Sequence, residues 1–138
     1  MSKGQRLSAE GDDRPMILVV DDQPDYAKLF ELVSEMLGIT VNIVSNCSDA
    51  AHAIEKYEFD LIFMDWIMPE QNGPACTARL RKLEKRTGRR VPIVGVSGYL
   101  HASKAKCLEA DMDDFLAVPF TMEELQALLA KWTQVKEK

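Results

Sequence analysis

No apolar stretch in this 138-residue chain approaches the ~18 residues that a membrane-spanning helix requires, so no membrane role is expected. The first 14 residues carry Lys3 and Arg6 but lack the apolar core of a secretory signal. Cysteine is scarce: Cys47, Cys76 and Cys107 are odd in number, widely spaced and free of any C-x-x-C pair. They are expected to be buried thiols in a reducing compartment, which makes the cytoplasm the expected location. A basic excess is missing too. The 17 Lys and Arg against 22 Asp and Glu leave a net charge of −5, which argues against a nucleic-acid role for the domain itself. His52 and His101 have no partners at metal-ligand spacing and are expected at the surface or in packing.

What is present suits a globular protein: 46% of residues are hydrophobic and 28% charged, enough for one self-sufficient core. Residues 1–14 are polar and expected to form a disordered tail or linker, followed by a domain over 15–135 and a tail at 136–138. In the domain, short apolar runs alternate with segments of helical period. Strands are expected at Met16 to Val20, Thr40 to Val44, Leu61 to Met64, Val91 to Val96 and Phe115 to Val118.

The first helix opens at Asp22-Gln23-Pro24, carries Leu29, Val33, Met36 and Leu37 on one face, and stops at Gly38. The second spans roughly Ser48 to Tyr57. The third places Cys76, Leu80 and Leu83 together, the fourth covers Ala102 to Ala110, and the last starts near Thr121 with Glu124 completing a capping box. Five such strands interleaved with five helices predict an α/β fold: a doubly wound five-stranded parallel sheet covered on both faces.

Two of the apolar runs end in acid. Ile17 to Val20 leads into Asp21-Asp22, and Leu61 to Met64 leads into Asp65. Ligands of doubly wound sheets bind outside the carboxyl ends of the strands, so the three carboxylates, and Ser97 after the fourth strand, should gather there. Crowded like charges raise one another's pKa and call for a cation. A hard divalent ion, Mg²⁺ in particular, takes oxygen ligands of this kind and pairs them with phosphate.

These strand ends resemble the receiver domains of two-component response regulators. ILVVDD at Ile17 to Asp22 is similar to the first strand and acidic pair of that family. DWIMPEQNG at Asp65 to Gly73 is similar to its phosphoacceptor loop. Ser97 after VPIVGV, Phe115, and Val118-Pro119-Phe120 at a cis-peptide turn complete the likeness, which covers Met16 to Trp132. The resemblance implies a flavodoxin-like receiver fold and a signalling switch in which Asp65 takes a phosphoryl group from a histidine kinase or phosphotransfer protein. Asp22, Asp65 and the backbone carbonyl of Ile67 would ligate Mg²⁺, with Asp21 acting mostly through water. Ser97 would contact a phosphoryl oxygen, Phe115 would be the aromatic of the switch, and the loop from Ser97 to Ser103 its moving part. The output would be a downstream protein target, and a homodimer is allowed. The chain would be a stand-alone receiver or one domain of a hybrid kinase or larger regulator; the third helix's extension over Glu84 to Arg90 leans toward the hybrid-kinase type.

The chain departs from the resemblance at Val118, where the family carries Lys. A charge-assisted hydrogen bond of that type is worth about 1.5–3 kcal/mol, and Lys104 or His101 is the candidate substitute. Asp111 replaces a helix-ending Gly and should adopt the left-handed conformation. The basic run Arg79, Arg81, Lys82, Lys85, Arg86, Arg89 and Arg90 is expected to be a solvated helix end that complements the macrodipole. Trp66 is expected as a lid over the site's edge. Two competing readings are an interaction module with weak or no phosphate control, on account of Val118, and a phosphatase with an aspartyl-phosphate intermediate. The latter needs a second Asp where Ile67 stands.

Overall fold

The structure, a computed structural model, describes residues 14–22, 27–98 and 102–133. Five strands form one sheet: β1 (Met16–Val20), β2 (Thr40–Val44), β3 (Leu61–Asp65), β4 (Ile93–Ser97) and β5 (Asp114–Ala117). The helices are α1 (Ala27–Leu37), α2 (Cys47–Lys56), α3 (Gly73–Thr87), α4 (Lys104–Glu109) and α5 (Met122–Trp132). The strands run parallel in the order β2-β1-β3-β4-β5, which puts β1 and β3 beside each other with Val20 facing Met64. The two acid-tipped strands are therefore neighbours.

Alternate residues of each central strand enter opposite cores, as a sheet covered on both faces demands. Leu18, Val20, Ile62 and Met64 join Ala50, Cys76, Leu80 and Met112 in one. Ile17, Val19, Leu61, Phe63 and Val94 join Phe30, Val33, Leu125 and Leu129 in the other. Side chains close the helix starts: Asn46 accepts from the Asp49 N–H, Asn72 from Ala75 and Ser103 from Lys106, and Thr121 with Glu124 forms the expected capping box. Gly38 (φ 68°) ends α1 as anticipated, and Asp111 takes the left-handed conformation at φ 66°.

Several expectations are corrected. β4 starts two residues later than Val91 and includes Ser97, so that serine belongs to the sheet. β5 begins at Asp114 and ends before Val118. A carboxylate opens this strand because its charge is met by Lys104, Lys131 and the Trp132 indole N–H. Helix α4 is shorter than anticipated. Cys47 and Cys76 are not free thiols: they form a disulfide across the first turns of α2 and α3, with Cα atoms 5.6 Å apart, and only Cys107 is free.

The basic run is not simply a solvated face either. Arg81 is buried and bonds the Glu84 carboxylate at 2.8 Å, the Asp113 carboxylate at 2.9 Å and the carbonyls of Val91 and Asp111. Arg90 binds Asp111 and Asp113, and Arg89 donates to the Phe59 carbonyl at 2.7 Å. This cluster pins the end of α3 to the start of β4 and the turn before β5. Arg81→Met is expected to strand Glu84 in the core and to cost about 3–5 kcal/mol. Equilibrium denaturation checks this; a loss below about 1 kcal/mol would show that the cluster is ornamental.

Candidate functional site

Each acid reaches the site by strand geometry. Asp21 immediately follows β1 and is 2% exposed, its backbone N–H bonded to the Val44 carbonyl at 3.0 Å. Asp22 is the next residue and half-buried, and Asp65 is the half-buried last residue of β3. Carboxylate oxygens from all three lie within 4.8 Å of one another, so the structure brings the predicted trio together.

Burial and then the charge of Asp21 push the Asp65 carboxyl up to about 7, assisted by Asp22 and by a hydrogen bond with Asp21. The Ile67 N–H, 3.3 Å from Asp65 Oδ1, works in the opposite direction. A carboxyl in this condition is a poor nucleophile until a cation offsets its neighbours. The donor set is all oxygen, which fits a hard divalent ion.

The loop after Asp65 folds back on its own strand. The Trp66 N–H bonds the Val96 carbonyl, and the Gly73 N–H bonds the Trp66 carbonyl at 2.8 Å. A Cβ on Gly73 would lie 2.5 Å from the Asp65 carbonyl oxygen and 2.9 Å from Trp66 Cα, so only glycine permits this return. From the sequence, Gly73 reads merely as a loop breaker; its sign as something more is a glycine at the first position of a well-capped helix. Met68 is buried beneath the loop while the Ile67 side chain is 52% exposed.

Ser97 is buried at the end of β4, one residue beyond Val96, the partner of Asp65 in the ladder. Its carbonyl accepts from the Val118 N–H at 2.9 Å, just before the cis Val118–Pro119 peptide. Phe115 is half-buried two ladder steps below Ser97 and packs with the core that holds Cys107 and Met112. Trp66 packs against that same core over Gly95.

Val118 packs with the opposite core. Lys104 does not take the place of the missing lysine, because its ammonium lies 3.1 Å from Asp114 Oδ1. Asp114 sits three strand residues, about 10 Å, below the level of Ser97. Burial raises the Asp114 carboxyl, but the Trp132 and Phe115 N–H groups with Lys131 and Lys104 bring it down to about 2. His101, the other candidate, lies outside the described residues, as do residues 99 and 100 of the loop from Ser97 to Ser103.

A family model described as the response regulator receiver domain matches residues 17–130. The chain belongs to this family. It is a phosphoacceptor module of two-component signalling, not a conventional enzyme. This receiver domain is 35% identical over 121 residues to the sensor histidine kinase GacS of Pseudomonas protegens, covering 86% of the chain and 13% of that kinase. It is 34% identical over 128 residues to the sensor histidine kinase RcsC of Salmonella typhi, covering 92% of the chain and again 13% of the relative. The chain thus spans about an eighth of either kinase.

Among solved structures it is similar to the receiver domain of a Pseudomonas aeruginosa sensor histidine kinase, which has a magnesium ion coordinated in its active-site cleft. The TM-score is 0.72 and the identity 34%, over 86% of this chain and 97% of that one. A CheY-like receiver from Methylobacillus flagellatus matches with a TM-score of 0.73 and 29% identity, over 86% and 98% of the respective chains. No helix among the described residues is long and apolar enough to cross a membrane.

The raised Asp65 carboxyl sets a direction for stability. The folded state holds this proton more tightly than the unfolded chain, whose value is near 3.8, so the stabilisation is complete below that pH and lost as pH rises through about 7. Without divalent ions, Asp65→Asn should therefore melt higher than the parent at about pH 8, and the gap should close near about pH 4. Calorimetry at the two pH values checks this, and a constant gap would contradict it. Gly73→Ala is expected to cost about 1–3 kcal/mol in denaturant titrations, since backbone must move to admit the methyl.

Proposed function

We propose that Asp65 is the phosphoacceptor of this receiver domain and that Mg²⁺ is held by Asp22, Asp65 and the carbonyl of Ile67, with Asp21 acting through water. The observation that carries the reading is the convergence of three carboxylates at the end of the central pair of strands. The ion would neutralise charge on the transferring phosphoryl oxygens. The protein's own part is to aim the Asp65 oxygen, fixed by β3 and the Ile67 N–H, at phosphorus while the bond from phosphorus to the donor nitrogen breaks.

Ser97, held at the end of the neighbouring strand, donates its hydroxyl to a phosphoryl oxygen. Its inward draw opens room for Phe115 to change rotamer. The donor is a histidine kinase or a phosphotransfer protein, and the resemblance to receiver segments of sensor kinases supports placement within a hybrid kinase. Two competing readings lose ground. An interaction module without phosphate control is not favoured, since the chain keeps the whole acid trio and matches the family across the acceptor loop. The phosphatase reading still lacks its second acid, with Ile67 at that position.

A small-molecule phosphodonor with Mg²⁺ should add one phosphoryl group by intact mass, and Asp65→Asn should abolish the adduct. Labelling that survives in the Asn variant would move the chemistry to another residue. Asp22→Asn should lower Mg²⁺ affinity about tenfold or more, read from the ion-dependent rise in melting temperature.

A further inference from the structure

Cys47 opens α2 and Cys76 lies in the first turn of α3, so their disulfide sits at the carboxyl edge of the sheet, the edge that carries Asp65. The bridge spans 29 residues and closes a covalent ring around α2, β3 and the whole loop from Trp66 to Asn72. That loop is held at one end by β3 and at the other by the bridged turn of α3.

The two cysteines differ in exposure. Cys76 is fully buried, whereas Cys47 is 5% exposed and lines a groove of about 230 Å³ between the start of α2 and the loop after Asp65. Asn46 and Ser48 form one side of the groove, Glu70 and Gln71 the other, and Arg79 reaches in from α3 with Nη1 3.4 Å from Ser48 Oγ. One guanidinium, one carboxylate and several neutral donors and acceptors complement a small molecule that bears both carboxylate and ammonium groups.

We propose that the Cys47–Cys76 bridge is a thiol-exchange site, opened at Cys47 by a zwitterionic peptide thiol seated in this groove, and that its opening loosens the loop that follows Asp65. The incoming thiolate bonds to Cys47 Sγ as the bond to Cys76 breaks. Cys76 leaves as a thiolate in the first turn of a 15-residue helix, where backbone N–H groups favour negative charge. A second thiolate attacks the external sulfur of the mixed disulfide and releases Cys47. The two protons given up by the thiols pass to the two cysteines. In sum, one protein disulfide and two thiols become two cysteines and one external disulfide.

The consequence for the metal rests on the reading of Asp65 and the Ile67 carbonyl given above. A tethered loop holds that carbonyl in place before the ion arrives, and release of the tether removes this preorganisation.

Glutathione, applied to the oxidised chain, is the test. Thiol titration in denaturant should find one cysteine before reduction and three after, with a native-state rate proportional to glutathione concentration. Arg79→Gln should slow glutathione about threefold or more and leave reduction by uncharged mercaptoethanol within about twofold. Three thiols in a sample treated with oxidised glutathione would overturn the site. So would a rate independent of thiol concentration, which means opening by unfolding alone, or equal slowing of both reagents.

Mg²⁺ affinity from thermal shifts should be about threefold or more weaker in the reduced chain and in Cys47→Ser than in the oxidised chain. Equal affinities would overturn the coupling to the loop. No Mg²⁺ response in any form would instead sink the metal reading, and the coupling with it, while thiol titration still decides the exchange site.

Discussion

The mutual repulsion of Asp21, Asp22 and Asp65 is the constraint around which the carboxyl edge of the sheet is arranged. Pairing β1 directly with β3 forces the carboxylates within 4.8 Å of one another, and burial denies them full hydration. The structure accepts this by letting Asp65 hold its proton to about pH 7 and by giving it a backbone N–H from Ile67. Such a site is held ready by elements that do not themselves need the ion. Both cores lie behind the edge, the return of Gly73 onto Trp66 closes the loop after Asp65, and Ser97 is fixed by the ladder.

The opposite end of the molecule handles charge in the other way. There Arg81, Arg89 and Arg90 meet Glu84, Asp60, Asp111 and Asp113 in ion pairs, of which Arg81–Glu84 is buried on both sides. Asp114 likewise gathers Lys104, Lys131 and the Trp132 indole, joining α4, β5 and α5 at one carboxylate. This carboxyl's depressed value means that the joint persists from neutral pH down toward about 2. Charge matched in ion pairs at one end and carboxylates crowded together at the other divide the sheet into a structural pole and a chemical pole.

Much of this was legible in the residues. Apolar runs of strand length alternating with helical stripes identify the doubly wound sheet, and acids at the ends of two runs locate the site, because strand ends in such sheets share one edge. The capping box at Thr121 and Glu124 and the stop at Gly38 are local, and local signals read well. The failures are non-local. Arg81 looks like any surface cation until Asp113, far along the chain, is folded against it. Cys47 and Cys76 lack a spacing motif because the parallel starts of α2 and α3, not the sequence, bring them together. Lys104 is in the right stretch to serve the acid site, yet Asp114 claims it. Asp114 reads as a turn residue since nothing in its own segment hints at two ammoniums and an indole waiting for it.

The acid trio also shapes how a phosphorylated partner arrives. On the reading proposed above, its phosphoryl group is an anion that comes to an edge where three carboxylates lie together on a chain of net charge −5. Long-range attraction cannot guide it; the field opposes the approach until the last few ångströms. Added salt shortens the reach of that field to about 8 Å at physiological strength and so weakens its opposition. Apolar side chains that no charge opposes are also exposed, Ile67 in the loop after Asp65 and Leu32 and Met36 on α1. A divalent ion held among these carboxylates would cancel much of that opposition, so the ion sets access for a protein partner and a small donor alike.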